Sequence, residues 1–203
     1  MTGPNTPTRI LDAALASFGT KGYEATSLDV LAAGLGVTKQ AILYHFASKE
    51  LLLEAVIDRT AAELSGALEE SLRSAGQGWD RVEAIVRSVF RLAAHRPELL
   101  GLLREVTRLG PPAATGLTDA LDPLLQRATA FLESEMATGT MRRQDPRLLL
   151  LSAYSAVIGV ATEVEVLQAL GYKPTLRSLV RRRSELLAFL RSALVAPPVT
   201  PPA

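Results

Sequence analysis

Apolar side chains recur along most of the chain at the spacing of an α-helix. Ile10, Ala14 and Phe18 stand at positions i, i+4 and i+8 of one stripe, with Leu11 and Leu15 beside them. No segment shows the strict alternation of apolar and polar residues that is typical of a half-buried strand. The pattern therefore predicts an all-α fold with about nine helices.

Two short helices are predicted to follow the first one. Ser27 offers a capping hydroxyl to the second helix, and Thr38 starts the third, in which Ile42 and Phe46 face inward. The segment 34–37 between them holds two glycines, which tolerate the positive φ of a tight corner. Two short helices joined by such a turn and packed on a longer helix form a helix-turn-helix, which places its second helix in the major groove of DNA.

Capping residues, glycines and prolines divide the rest of the chain into further helices. Ser48 caps a long fourth helix, and Gly76–Gly78 separates it from the fifth. Asp145 followed by Pro146 opens a helix that is predicted to run to Gly171, and Pro174 begins the last helix.

These boundaries suggest two domains with short tails. We expect residues 8–50 to form the helix-turn-helix domain and residues 51–195 to form a second, helical domain. Residues 1–7 are short and polar, and residues 196–203 hold four prolines, so both segments are predicted to be disordered.

The outward side of the third helix carries side chains that can bind DNA. Lys39 and Gln40 lie in its first turn, where lysine can donate to guanine and glutamine can pair with adenine. Tyr44 and His45 lie about one turn later and have donors that can reach phosphate oxygens. The third helix is therefore predicted to be the recognition helix.

Two helix N-termini supply further candidate phosphate sites. The first backbone N–H groups of a helix lack partners within the helix and carry partial positive charge. Thr26 and Ser27 stand at the start of the second helix, and Ser48 and Lys49 stand at the start of the fourth. We expect these groups to add to DNA affinity.

The charge balance gives little support to DNA binding. The formal net charge is +1, and residues 1–60 hold five basic and six acidic side chains. Because DNA affinity depends strongly on neutralised phosphates, binding must rest on a few well-placed groups and on dimerisation. The neutral N-terminal region leaves an alternative open, in which a helical sensor or adaptor acts through protein contacts with little specific DNA binding.

The order of residues in the first four helices resembles the N-terminal signature of the TetR family of regulators. The similarity covers about residues 8–56. The segments that match are Thr26-Ser27, Leu31-Ala32, Gly36-Val37-Thr38-Lys39, Ile42-Leu43-Tyr44-His45-Phe46 and Ser48-Lys49-Glu50-Leu51-Leu52.

The resemblance implies a transcriptional regulator, most often a ligand-responsive repressor that binds a near-palindromic operator as a dimer. Two positions depart from the family pattern: Leu43 stands where a tyrosine is usual, and Ala41 where a threonine is frequent. The residues that the resemblance assigns to DNA contact are Thr26 or Ser27, Thr38, Lys39, Gln40, Tyr44, His45 and Lys49.

In this family the C-terminal part binds a ligand and dimerises, and residues 51–195 permit both roles. The helix that starts at Pro146 carries small residues, and the last helix has a leucine stripe, so we expect a homodimer through the last two helices. The apolar middle helices favour a hydrophobic or amphipathic small-molecule effector. Arg104, Tyr154 and Glu163 are polar groups in otherwise apolar helices and are candidates to line its pocket.

Several other classes of protein are not expected. Cysteine is absent, His95 has no second histidine nearby, and phosphate-loop and hydrolase motifs are missing, so we expect no metal, no cofactor and no enzymatic activity. The charge-free stretch 148–162 is shorter than the roughly 20 residues that cross a bilayer. The sequence therefore favours a cytoplasmic protein without a membrane partner.

Overall fold

A computed structural model describes residues 6–196, apart from the side chain of Glu165. This part of the chain forms ten helices and no strand, which confirms the predicted all-α fold. The helices are α1 (Thr6–Lys21), α2 (Leu28–Leu35), α3 (Lys39–His45), α4 (Lys49–Arg73), α5 (Trp79–His95), α6 (Pro97–Leu109), α7 (Ala113–Ala137), α8 (Pro146–Thr162), α9 (Val164–Ala169) and α10 (Leu176–Leu194).

The helix predicted from Pro146 to Gly171 is in fact two helices, α8 and α9. Glu163 lies between them with φ −77° and ψ 66°, and this ψ turns the chain out of the helical direction. Its backbone N–H still donates to the carbonyl of Gly159, at 2.9 Å. The break carries no proline or glycine, which is why the sequence pattern suggested one continuous helix and a count nearer nine.

The predicted disordered tails fall almost entirely outside the described residues. Thr6 and Pro7 are the exception at the N-terminal end, because they form the start of α1. A proline is tolerated there, since the first N–H groups of a helix have no partner within the helix.

The helices pack into two compact units. The first holds the described residues up to Gly66 together with His95–Asp122, and the second holds Ala67–Ala94 and the chain from Pro123 onwards. The predicted boundary between residues 50 and 51 separates a DNA-binding domain from a ligand-binding and dimerising domain, and it stays a prediction. By packing, however, α6 belongs with the helix-turn-helix.

In the first unit, α1 and α6 approach each other at two glycines. A Cβ atom placed on Gly101 would lie 2.0 Å from the carbonyl oxygen of Gly19, and one placed on Gly19 would lie 2.2 Å from that of Glu98. The two backbones therefore touch without intervening side chains. Around this contact the unit buries a core from all of its main helices, formed by Ile10, Phe18, Leu28, Leu31, Ile42, Leu52, Val56, Leu99, Leu100, Leu102 and Val106.

The second unit is built on α5, the later part of α7, and α8 to α10. Leu132, Met136 and Met141 form a buried cluster in it. The α8 and α10 helices pack on each other, and the guanidinium of Arg182 donates to the carbonyl of Val160 near the end of α8, at 2.6 Å. Among the described helices, none combines the length and the apolar character needed to cross a lipid bilayer.

The glycine contact between α1 and α6 predicts that Gly101→Ala destabilises the protein, although alanine is the better helix former. The added methyl group forces the two backbones apart, which costs about 1–3 kcal/mol of the free energy of unfolding. Gly66→Ala is the matched control, because Gly66 lies within α4 and the new Cβ would meet no atom of another helix within 4 Å. It should stabilise the protein by up to about 1 kcal/mol. Urea unfolding at one protein concentration measures the free energy of unfolding of both variants. If Gly101→Ala and Gly66→Ala stabilise the protein equally, the close contact between α1 and α6 is contradicted.

Candidate DNA interface

The turn between α2 and α3 is fixed by a left-handed glycine. Gly36 has φ 67° and ψ 33°, a conformation that side chains disfavour. Its N–H donates to the carbonyl of Ala33 at 3.2 Å, and the N–H of Val37 donates to the carbonyl of Ala32 at 3.0 Å. These two hydrogen bonds close the end of α2 and set the direction in which the chain enters α3.

Each of the three helices at this surface begins with a hydroxyl cap. The Ser27 hydroxyl oxygen accepts from the N–H of Val30 at 3.1 Å, and that of Thr38 accepts from the N–H of Ala41 at 3.1 Å. The Ser48 oxygen accepts from the N–H of Leu51 at 3.2 Å. The caps use the oxygens as acceptors, so the hydroxyl hydrogens of the exposed Ser27 and Thr38 remain available as donors.

The α3 helix turns one side chain into the core and leaves its opposite side in solvent. Ile42 is fully buried, whereas Tyr44 is 86% exposed. The rings of Tyr44 and His45 lie edge to face, with centroids 5.1 Å apart. Thr38, Lys39, Gln40, Tyr44 and His45 are exposed, whereas Ala41 and Leu43, which the sequence pattern also places on the outward side, are half-buried.

Lys39 is paired with an acidic side chain of α2. Its Nζ lies 3.0 Å from Oδ2 of Asp29, and both side chains are largely exposed. An exposed ion pair of this kind contributes about 0–1 kcal/mol, so it costs little for Lys39 to exchange Asp29 for a base edge. Sequence reasoning missed Asp29, because a single acidic residue on a short helix gives no sign of its partner.

Lys49, at the start of α4, rests on an aromatic ring. Its Nζ lies 4.0 Å from the centroid of the Tyr23 ring, and the Tyr23 hydroxyl donates to Oε1 of Glu50 at 3.1 Å. Burial, reinforced by the hydrogen bond to Glu50, raises the pKa of Tyr23 to about 12. The phenol is therefore neutral at any physiological pH.

The Glu50 carboxylate is stabilised in its charged form. A hydrogen bond from its own backbone N–H, followed by those of the Ser48 and Tyr23 hydroxyls, lowers the pKa of Glu50. The positive end of the α4 dipole also stabilises a negative charge at this position. The start of α4 thus holds a fixed carboxylate beside the Lys49 ammonium.

Thr26 differs from the other predicted contact residues because it belongs to the core. It is 1% exposed, and its hydroxyl lies 2.8 Å from the Ser17 hydroxyl and donates to the carbonyl of Gly22 at 2.8 Å. Its N–H donates to the carbonyl of Tyr23. Of the pair Thr26 or Ser27, only Ser27 is therefore exposed to solvent, while Thr26 packs inside the turn that precedes α2.

The three candidate ligand residues are spread over the chain. Arg104 lies on the exposed side of α6 in the first unit. In the second unit, Tyr154 lies partly exposed on α8, and Glu163 ends that helix. An open groove between α8 and α10 is lined by other residues, among them Leu148, Ser152 and Phe189.

Known proteins match both the N-terminal helices and the whole fold. Residues 10–56 match the family model described as bacterial regulatory proteins, tetR family. The transcriptional activator FasR of Mycolicibacterium smegmatis is 29% identical over 127 residues, which cover 59% of this chain and 58% of FasR. The transcriptional regulator RutR of Escherichia coli is 26% identical over 148 residues, covering 72% of this chain and 69% of RutR.

A solved structure extends the similarity to the complete fold. AibR, in a structure with isovaleryl coenzyme A and operator DNA, superposes with a TM-score of 0.75 at 19% sequence identity, over 92% of this chain and 98% of AibR. The helix-turn-helix, the family match over 10–56 and the relatives agree with the resemblance found in the sequence. Residues 10–56 therefore have the sequence of the tetR family of bacterial regulatory proteins, and the relatives with which the chain aligns are transcriptional regulators.

Proposed function

We propose that this protein is a cytoplasmic, ligand-responsive repressor that binds a near-palindromic operator as a homodimer. The observation that carries the proposal is the outward side of α3, where the polar side chains from Thr38 to His45 stand in solvent above a single buried isoleucine. No catalytic activity is part of the proposal, and the relatives are regulators.

Base recognition is assigned to the first turn of α3. Lys39 and Gln40 are exposed and lie where a recognition helix meets base edges. Tyr44, His45 and Ser27 are assigned to phosphate oxygens, as is the hydroxyl of Thr38. Lys49 adds a positive charge at the N-terminus of α4. Because the N-terminal region has almost no net charge, these few contacts are the main source of DNA affinity, and a dimer makes each of them twice.

The homodimer is assigned to α8 and α10. Both helices leave large apolar side chains in solvent: Leu148 and Leu151 on α8, and Leu176, Val180 and Phe189 on α10. Leu148 and Phe189 line one groove between the two helices. Because soluble monomers rarely leave a large apolar surface uncovered, a second copy of the same surface is the partner we propose.

A small hydrophobic or amphipathic molecule is the proposed effector. The structural neighbour AibR is described with both an acyl coenzyme A and operator DNA, so this fold accommodates the two kinds of partner in one protein. Arg104 in the first unit, and Tyr154 and Glu163 in the second, each stay a separate candidate for a polar contact with it. The effector changes DNA affinity only as far as it binds one of two conformations more tightly than the other.

The DNA assignment predicts different effects for two lysines. Sequences are selected from a random duplex pool of about 30 base pairs, and the recovered inverted repeat is then bound across a salt series. Lys39→Ala should cost about 1–3 kcal/mol on that sequence and relax the preference at one position. Lys49→Ala should weaken all duplexes alike and reduce the salt slope by about one.

Lys21→Ala is the matched control for these two variants, because it removes the same charge from an exposed site at the end of α1. It should leave sequence preference unchanged. If a folded wild-type dimer enriches no sequence, the repressor assignment fails for the unliganded protein. The sensor or adaptor that acts through protein contacts then takes its place.

The dimer assignment predicts that Phe189→Glu yields monomers. The charge would lie in an apolar interface without a partner, which is strongly unfavourable. Light scattering after gel filtration measures the mass, with wild type expected at twice the chain mass. Leu125→Glu is the control, since Leu125 is an exposed leucine of α7. A Phe189→Glu variant that stays dimeric, or a wild type that is monomeric, would rule out this interface.

A further inference from the structure

Tyr23 lies outside the recognition helix and yet contacts three parts of the first unit. Its ring packs on Phe18 of α1, with centroids 5.3 Å apart and the planes tilted by 56°. Its backbone N–H donates to Oε1 of Glu105 on α6 at 2.7 Å. Its hydroxyl donates to Glu50 at the start of α4. Tyr23 is therefore held by contacts with α1, α6 and α4, and the Lys49 ammonium lies over its ring.

The anchor on α6 is itself held in place. Arg108 donates to both carboxylate oxygens of Glu105 at 2.8 Å, and this pair, together with the Tyr23 N–H, lowers the pKa of Glu105. The carboxylate thus stays charged and keeps its hydrogen bond to the backbone of Tyr23. The position of the ring depends on α6 as well as on α1.

We propose that Tyr23 is the positioning residue for the phosphate-binding lysine of α4: its ring face holds the Lys49 ammonium where it meets the DNA backbone, and its hydroxyl holds the Glu50 carboxylate away from that ammonium. This inference rests on the proposed function, because it assigns Lys49 to phosphate. Tyr23 itself touches no DNA in this account.

The chemistry of the contact explains how a tyrosine can assist a lysine. The face of an aromatic ring is electron-rich and attracts a cation. A free lysine must give up most of its rotamer freedom when it binds a phosphate, and a lysine already resting on a ring has given up part of it. The ammonium has three N–H donors, so contact with the ring on one side leaves donors free for a phosphate on the other.

The hydroxyl has a separate task, which concerns Glu50. A carboxylate beside a phosphate-binding lysine would compete with the phosphate for the ammonium. The hydrogen bond from Tyr23, with that from Ser48, directs the Glu50 oxygens to neutral donors. Lys49 is thereby left to the ring and to the DNA.

A double-mutant cycle on DNA binding tests the inference. The probes are the duplex recovered by selection and a mixed-sequence duplex of the same length, because a phosphate contact acts on both alike. Tyr23→Leu removes the ring face and should weaken binding to each duplex roughly two- to five-fold. In a Lys49→Ala background the same change should have no further effect. If Tyr23→Leu costs the same factor in both backgrounds, Tyr23 only supports the fold and the inference fails.

Ring variants keep the test valid where leucine impairs folding. Tyr23→Phe retains the face and the packing on Phe18 but loses the hydrogen bond to Glu50, so its affinity for DNA should lie between those of wild type and Tyr23→Leu. Trifluoro-phenylalanine at position 23 keeps almost the same shape but weakens the negative face of the ring. Affinity should fall from phenylalanine to its fluorinated form, and only when Lys49 is present. Equal affinity of the two ring variants would overturn the inference.

The same experiment separates a failure of the proposed function from a failure of the role assigned to Tyr23. If the wild-type dimer binds neither duplex, the proposed function fails. If wild type binds and the fluorinated ring has no effect, the regulator stands and the role of Tyr23 is rejected.

Discussion

The recognition helix is too short to fold by itself, and the whole interface depends on what holds it. Isolated helices below about 12–15 residues are marginal in water, and α3 has seven. Its start is fixed by the Thr38 cap and by the left-handed turn at Gly36, and its middle is fixed by the burial of Ile42. With one side chain held in the core, the direction of the exposed side chains follows from helical geometry.

The support for α3 extends further along the chain than the helix-turn-helix itself. The α6 helix touches the backbone of α1 at Gly19 and Gly101 and accepts a hydrogen bond from Tyr23 through Glu105. A movement of α6 therefore either carries α1 with it or breaks these contacts, because packed backbones transmit displacement. An effector that binds more tightly to one of two positions of α6 would therefore also shift the position of the DNA-binding helices.

The sequence predicted the features that local chemistry decides. Helix starts follow from capping hydroxyls such as those of Ser27 and Thr38, which act on N–H groups three residues away. The burial of Thr26 and the pairing of Lys39 with Asp29 depend on neighbours that composition and periodicity do not reveal. Likewise, the helix break at Glu163 carries none of the usual breaking residues.

The proposed function requires that the exposed side of α3 enters the DNA. A photoreactive benzoylphenylalanine at Gln40 tests it directly, with the same group at Glu133, an exposed position of α7, as the control. Irradiation of each variant bound to the selected duplex is followed by detection of protein–DNA adducts. Adducts to bases are expected from position 40, and none from position 133. Binding without an adduct from position 40, or adducts of equal yield from both positions, would contradict that requirement.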